Sequence, residues 1–328
     1  MRTILFAIVL LGAGFHTAWA VDLRILIPLY SYPEWYTPSS YLWNDVALAG
    51  QRVPITAILN PDDGPGTGFP NSDYQVGMSN LWAGGVTMVG YVFTSYGARN
   101  PNLVKADIAA YGSNSMMRGI FLDEAASGTN QLAYYQDLYA FIHARTNLAT
   151  VILNPGTTIA GEYLSSPAAD IAVIFENDTG WPSYVADAYV RSYSPHRFSA
   201  LFYDVPTLET MQTNVDLAVQ RNVGWVYATD DAGANPWDRL PVYWTQLVDY
   251  VHSYRQLAST GIQASSGSLH LAFQTISNRP FAIEYTATPL ASAWSNLTAS
   301  SISTQDWVMA TDPLSSYSQR FYRLHLFP

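Results

Sequence analysis

Eight short runs of apolar, β-branched or aromatic residues recur along the chain, each closing on a polar or turn-forming residue. They are Arg24–Tyr30, Pro54–Asn60, Val86–Thr94, Arg118–Asp123, Ala149–Asn154, Asp170–Glu176, Phe198–Asp204 and Val223–Asp230. They start 21 to 32 residues apart, which leaves room for one helix after each strand and is the cadence of repeated βα units around a parallel sheet. Gln131–Arg145 and Tyr243–Leu257 carry apolar residues at helical spacing with polar ones between, and predict two of those helices. Eight units in roughly 230 residues suit a (β/α)8 barrel of the TIM type, for which ~250 residues is typical. An open, doubly wound sheet is the structural alternative. No G-x-G-x-x-G follows the first strand, and Gly64-Pro65-Gly66 after the second opens no helical pattern, so a dinucleotide site is not indicated.

The two ends of the chain read differently. Arg2, the apolar run Ile4–Leu11 and the small-residue ending Ala18-Trp19-Ala20 have the order of a secretory signal peptide over residues 1–20, cleaved after Ala20. The run is too short for the ~20 residues that span a bilayer. A secreted or periplasmic protein without a transmembrane segment is expected. The barrel then occupies 21–257, and a Ser/Thr/Gly/Ala-rich connector occupies 258–268. Residues 269–328 show period-two patterns, Leu269-His270-Leu271-Ala272-Phe273 and Phe281-Ala282-Ile283-Glu284-Tyr285, that predict a small β-rich, sandwich-like module. Through Trp294, Thr311-Asp312-Pro313 and Arg320-Phe321-Tyr322-Arg323 this module resembles the short β-sandwich tails of many exported bacterial proteins.

Composition narrows the chemistry. With 49% hydrophobic and 12% charged residues, the 328-residue chain is a packed globular protein. Fifteen Lys and Arg against 25 Asp and Glu give a formal charge of −10, and Lys105 is the only lysine, which excludes a nucleic-acid partner. There is no cysteine, hence no disulfide, thiolate metal site or Cys nucleophile. The six histidines show neither H-x-x-x-H nor H-E-x-x-H spacing, and no G-x-S-x-G occurs, so neither a zinc site nor a serine hydrolase is supported. Asp62-Asp63 and Asp230-Asp231 lack the twelve-residue pattern of a calcium loop and read as solvated loops. No metal and no cofactor are expected, and the chain is expected to be a monomer.

In such a barrel the active site forms at the C-terminal ends of the strands. The closing residues here are polar: Tyr30, Asn60, Thr94, Asp123 with Glu124, Asn154, Glu176, Tyr203 with Asp204, and Asp230 with Asp231. Carboxylates gather on strands four, six, seven and eight, and two carboxyl groups across a cleft are the minimum for glycosidic cleavage. Asp123 and Glu176 could face each other, and alternation would put Glu124 on the opposite face from Asp123. The structural alternative has Asp123 capping the following helix and Glu176 paired with an arginine such as Arg99. Aromatics suited to stacking on sugar rings, Tyr30, Tyr32, Trp35, Tyr36, Tyr96, Trp181 and Trp237, follow the strands. Trp35, two residues after Pro33, and Trp181, next to Pro182, are the strongest of these candidates; core packing is the better reading of any other one.

Six segments in order resemble the spherulin 4 family. They are Pro28-Leu29-Tyr30-Ser31-Tyr32-Pro33, Asn60-Pro61-Asp62-Asp63-Gly64-Pro65-Gly66, Gly90-Tyr91-Val92-Phe93-Thr94-Ser95-Tyr96-Gly97, Gly119-Ile120-Phe121-Leu122-Asp123-Glu124, Asn154-Pro155-Gly156-Thr157 and Phe175-Glu176. The resemblance, which includes glycoside hydrolase family 135 and relatives, implies a barrel enzyme that cuts α-1,4-linked galactosamine or N-acetylgalactosamine exopolysaccharide. It implies Asp123 as nucleophile, Glu176 as general acid/base of a retaining mechanism, and Glu124 in an assisting role. The substrate would rest on Tyr30, Tyr32, Trp35, Asn60, Tyr91, Thr94, Tyr96, Asn154, Trp181, Tyr203, Asp204 and Asp230. A de-N-acetylated polymer is a polycation, which a net charge of −10 would attract. Two other readings stay open: a non-catalytic wall- or matrix-associated carbohydrate-binding protein on the same barrel, and an enzyme of this fold acting on another α-linked sugar.

Overall fold

The computed structural model describes residues 9–11, 14–16, 22–39, 41–256, 261–265, 268–275, 280–286, 293–302, 307–313 and 320–326. The chain divides into two compact units, Arg24–Val248 on one side and Met1–Leu23 with Asp249–Pro328 on the other. Residues 1–8, 12–13 and 17–21 of the expected signal peptide and its cleavage point, and 258–260 and 266–267 of the expected connector, lie outside the described residues.

The first unit is a closed barrel of eight parallel strands, the architecture the sequence pattern predicts. The strands are β1 (Arg24–Leu29), β2 (Ile55–Leu59), β3 (Thr87–Phe93), β4 (Met117–Asp123), β5 (Thr150–Leu153), β6 (Ile171–Asn177), β7 (Phe198–Phe202) and β8 (Trp225–Ala228). Each pairs with its successor, and β8 closes the ring on β1 through Trp225↔Arg24 and Val226↔Ile25. Strands enclosed by helices outside and packed side chains inside are buried on both faces, which is why the runs are apolar throughout rather than alternating. In β2 and β7 all five residues are buried.

Helices α1 (Leu42–Gly50), α2 (Ser72–Ala83), α3 (Pro101–Gly112), α4 (Leu132–His143), α5 (Glu162–Ser165), α6 (Leu208–Gln220) and α7 (Trp244–Gln256) lie between or after the strands. The two helices expected from periodicity are α4 and α7. Side-chain oxygens start three others by accepting from the first turn: Asn71 from Tyr74 N–H, Asn100 from Asn102 N–H, and Thr207 from Thr210 N–H. A full helix after every strand is not what forms. The segment after β5 contains one turn, α5, ahead of Ser166-Pro167, and the segment after β6 contains three short 3-10 turns opened by Gly180-Trp181-Pro182, Asp187 and Ser194-Pro195. Proline cannot supply the backbone donor that would extend such turns.

One close approach explains a glycine. A Cβ on Gly90 of β3 would sit 2.4 Å from the Tyr111 ring, and its absence lets α3 bring Tyr111 in to donate to the Leu59 carbonyl at 3.0 Å. Among the described residues no helix is long and apolar enough to cross a membrane.

The second unit contains, beyond a short antiparallel pair Val9–Leu11 and Gly14–His16, two small antiparallel sheets. One joins β9 (Gly261–Ser265), β10 (Ser268–Gln274) and β14 (Trp307–Pro313); the other joins β11 (Pro280–Thr286), β12 (Ser295–Asn296), β13 (Ser301–Ile302) and β15 (Phe321–Leu326). Its buried charges are neutralised internally: Arg320 and Tyr322 donate to Asp312, while Arg323 and His325 meet opposite oxygens of Glu284.

Candidate active site

Polar closure of the strands produces one cavity of about 470 Å³ at the C-terminal mouth of the barrel. Period two along a strand puts alternate residues on the same side, so Pro28 and Tyr30 of the β1 end, and Phe121 and Asp123 of β4, line it together. Tyr91, Asn154, Glu176 and Leu201 complete the strand-borne wall. A register shift on β6 between Val173 and Phe175 lies just ahead of Glu176, the kind of irregularity that re-aims a side chain beside a site.

Asn154 is the centre of the arrangement. Its Nδ2 donates to Asp123 Oδ1 at 2.7 Å and to Glu176 Oε2 at 2.5 Å, and its Oδ1 accepts from Gly156 N–H at 3.0 Å. The backbone is clamped as well, with Asn154 N–H donating to Leu122 O and Ala125 N–H donating to Asn154 O, each at 2.9 Å. One side-chain amide therefore holds both carboxylates, and two hydrogen bonds end to end cap the separation of the bridged oxygens at about 5 Å. The two carboxylates therefore approach each other closely across the cavity.

The electrostatics separate the two acids. Burial, reinforced by the charge of Asp123, pushes Glu176 up to about 7, against the lowering pull of the Asn154 hydrogen bond. Burial also raises Asp123, but hydrogen bonds from Tyr91, the Glu124 backbone and Asn154 favour its charged form. Tyr30 and Tyr91 are raised by burial and then by these carboxylates, so both remain protonated donors. Among the described residues no Lys, Arg or His lines the cavity, whereas Asp62 and Asp63 stand exposed at its rim. Among the described residues no group of three or more His, Asp or Glu is placed to hold a metal ion.

The structural alternative for the two acids does not hold. Arg99 pairs with Asp107 at 2.7 Å, and the cap position of α4 is Gln131, without a side-chain bond.

Of the expected site residues, Tyr30, Asn60, Tyr91, Asp123, Asn154 and Glu176 meet at the cavity. Asn60 also shapes the rim, its Oδ1 accepting from Gly64 N–H at 2.9 Å. Others are corrected. Trp181 is a core residue: its Nε1 donates to Asn214 O, its ring stacks on Tyr184, and Arg221 covers it at 4.4 Å. Thr94 is fully buried, its hydroxyl within 3.0 Å of the carbonyls of Asp123 and Glu124 and of the Tyr135 hydroxyl, so it braces the acid-bearing turn from behind. Tyr96 is 63% exposed and, like Glu124 and Asp204, has a positive φ that turns it out of the strand line and off the cavity wall. Tyr203 packs edge-on against Trp237 beside the mouth. Asp230 is bound to Arg239 at 3.0 and 3.3 Å and accepts from Val242 N–H, an ion pair that anchors the loop after β8. Tyr32 lines a neighbouring groove, and Trp35, outside that lining, shares with it a hydrogen bond to Asp73. Trp237, one of the aromatics expected to stack on sugar, also lines the cavity, and residues outside the expected set include Asp62, Asp63, Phe121 and Asn235; Tyr30 N–H donates to the Trp237 carbonyl at 3.2 Å, which draws that loop over β1. Phe121 was legible as the residue two before Asp123. The loop residues carried no strand-end signal.

Residues 24–251 match the profile of Spherulin4, spherulation-specific family 4. The chain is similar to Spherulin-4 of Physarum polycephalum, 35% identical over 242 residues that cover 70% of each chain. It is also similar to the crystal structure of Aspergillus clavatus Sph3 in complex with GalNAc, with a TM-score of 0.61 and 26% identity over 70% of this chain and 98% of the other.

Proposed function

The chain belongs to spherulation-specific family 4, and from that premise we propose that it is an exported glycoside hydrolase. The polymer would be α-1,4-linked galactosamine or N-acetylgalactosamine, cleaved internally with retention of configuration. The observation that carries this reading is the Asn154 amide joining Asp123 to Glu176 within one polar cavity. GalNAc bound to the related Sph3 supports an amino sugar as the occupant.

In the first step the Asp123 carboxylate attacks the anomeric carbon while protonated Glu176 gives its proton to the departing glycosidic oxygen. The products are a glycosyl ester on Asp123 and a shortened polymer. Formation of the ester removes the Asp123 charge, one of the two causes that raise Glu176, so Glu176 becomes the stronger acid when it must act as base. It then takes a proton from water, the hydroxide equivalent attacks the same carbon, and Asp123 departs as carboxylate. Tyr91 and Asn154 hold Asp123 charged for its attack and receive it again on departure. Glu124, whose carboxylate is outside the cavity wall, would assist through the shape of its turn.

A cavity with four carboxylates and no cationic side chain favours a neutral or positively charged polymer over an anionic one. Export belongs to the same proposal and is tested by the N-terminal sequence of secreted protein, expected at Val21. The test of activity is reducing-end release from acetylated and de-acetylated galactosamine polymer by wild type, Asp123→Asn and Glu176→Gln. Release by wild type alone supports the hydrolase. Binding without release by all three would make this a carbohydrate-binding protein on an enzyme's barrel.

A further inference from the structure

A second groove of about 360 Å³ opens beside the acid cavity and shares Pro61 and Asp62 with it. Its floor is built on the start of α2. Asn71 caps that helix through Tyr74 N–H, and the Tyr74 ring supports Tyr32 edge-on, at 5.5 Å between centroids and 88° between planes. Tyr32 and Trp35 are each 44% exposed, yet neither is loosely held. Tyr32 Oη donates to Asp73 Oδ2 at 2.8 Å and accepts from Asn71 Nδ2 at 3.2 Å, and Trp35 Nε1 donates to the other Asp73 oxygen at 3.0 Å. A single carboxylate thus orients two exposed aromatic side chains, which lowers the ordering cost a ligand must meet on binding.

We propose that this groove is a second sugar-binding subsite, which receives residues of the same polymer beyond those in the acid cavity, with the Tyr32 ring as a stacking face. The inference rests on the sugar-polymer reading of the cavity and extends it. Pro61 and Asp62 line both spaces, so the two openings are immediate neighbours on the same rim. Aromatic faces suit the apolar side of a pyranose, while Asn71 and Asp62 supply polar partners for hydroxyl, amide or ammonium groups. A subsite away from the acids makes recognition depend on chain length, which is what internal cleavage of a polymer requires.

The test is calorimetric titration of the Glu176→Gln protein, with and without Tyr32→Ala, against N-acetylgalactosamine and α-1,4-linked oligosaccharides of increasing length. The loss of affinity caused by Tyr32→Ala should grow with ligand length to about tenfold, the order of one well-held aromatic contact. Tyr32→Phe, which keeps the ring and loses its tether, should show a smaller loss in the same direction and guards against misfolding of the alanine variant. A loss that is equal at all lengths, or absent, overturns the subsite, as does failure of every oligosaccharide to bind. A length-dependent loss in a protein whose wild type releases no reducing ends would sustain the subsite and overturn the hydrolase.

Discussion

Two pairs of carboxylates stand at strand ends around the barrel mouth, and their surroundings differ. Asp230 and Asp231 after β8 both contact Arg239, at 3.0 and 3.2 Å, and Asp230 also accepts from Val242 N–H. Burial works against the charge of Asp230, but its hydrogen bonds and the guanidinium prevail and hold it below the usual carboxylate range. Among the described residues no Lys, Arg or His lines the cavity of Asp123 and Glu176; an amide joins the two acids, and burial raises both. Asp230 gains stability from being charged. The second pair keeps a proton near neutrality at the expense of stability, as a site that must donate and recover a proton does.

Four experiments would break or sharpen that contrast. Replacing either acid of the second pair, Asp123→Asn or Glu176→Gln, should lower kcat on the amino-sugar polymer by roughly 10²–10⁴-fold, read as reducing-end release. Asn154→Ala should cost roughly 10²-fold, since it removes a preorganised donor. Because the Asn154 hydrogen bond lowers both acids, its loss should also move the basic limb of the kcat/KM profile, expected near pH 7 in wild type, to higher pH.

Third, Glu176 bears on stability. Its folded-state pKa lies above the ordinary 4.5, so the folded protein is favoured below that value and loses stability as pH rises toward 7. Glu176→Gln should therefore unfold at higher urea than wild type at pH 8, by about 1–3 kcal/mol, and by less at pH 4. Last, Asp230→Asn should cost about 0.5–1 kcal/mol at pH 7, because Arg239 is partly exposed. Asp230 is lowered, so its contribution is present above the ordinary carboxylate pKa and disappears as pH falls through the folded value. Wild type and Asp230→Asn should converge in acid, and their activity profiles should share both limbs.

The same contrast explains what the sequence made legible. All eight strands were readable because burial on both faces leaves continuous apolar runs that end where the mouth begins. Asp123, Asn154 and Glu176 were readable as the polar residues at those ends. A strand end, however, does not state which way the next side chain turns: positive φ at Tyr96, Glu124 and Asp204 directs them off the wall. Nor does it state whether a partner is near, and Arg239, nine positions after Asp230, turned a candidate binding residue into an anchor. Trp181 beside Pro182 looked like a loop aromatic, but Phe175, Phe202 and Tyr184 close around it once β6 and β7 pair. Asp62 and Asp63 read as solvated loop and are exposed, yet the turn made by Asn60 and Gly64 sets them at the rim of the cavity. Such loop placements depend on contacts between segments distant in sequence, which local pattern does not carry.

The central claim is that Asp123 and Glu176 act as a retaining pair at the separation imposed by Asn154. It is tested most directly by proton NMR of the first sugar ends released from α-1,4-linked galactosamine polymer, before mutarotation. The account predicts the α anomer from wild type and release slowed by roughly 10²–10⁴-fold in Asp123→Asn. The β anomer, or unchanged release by Asp123→Asn, would contradict it.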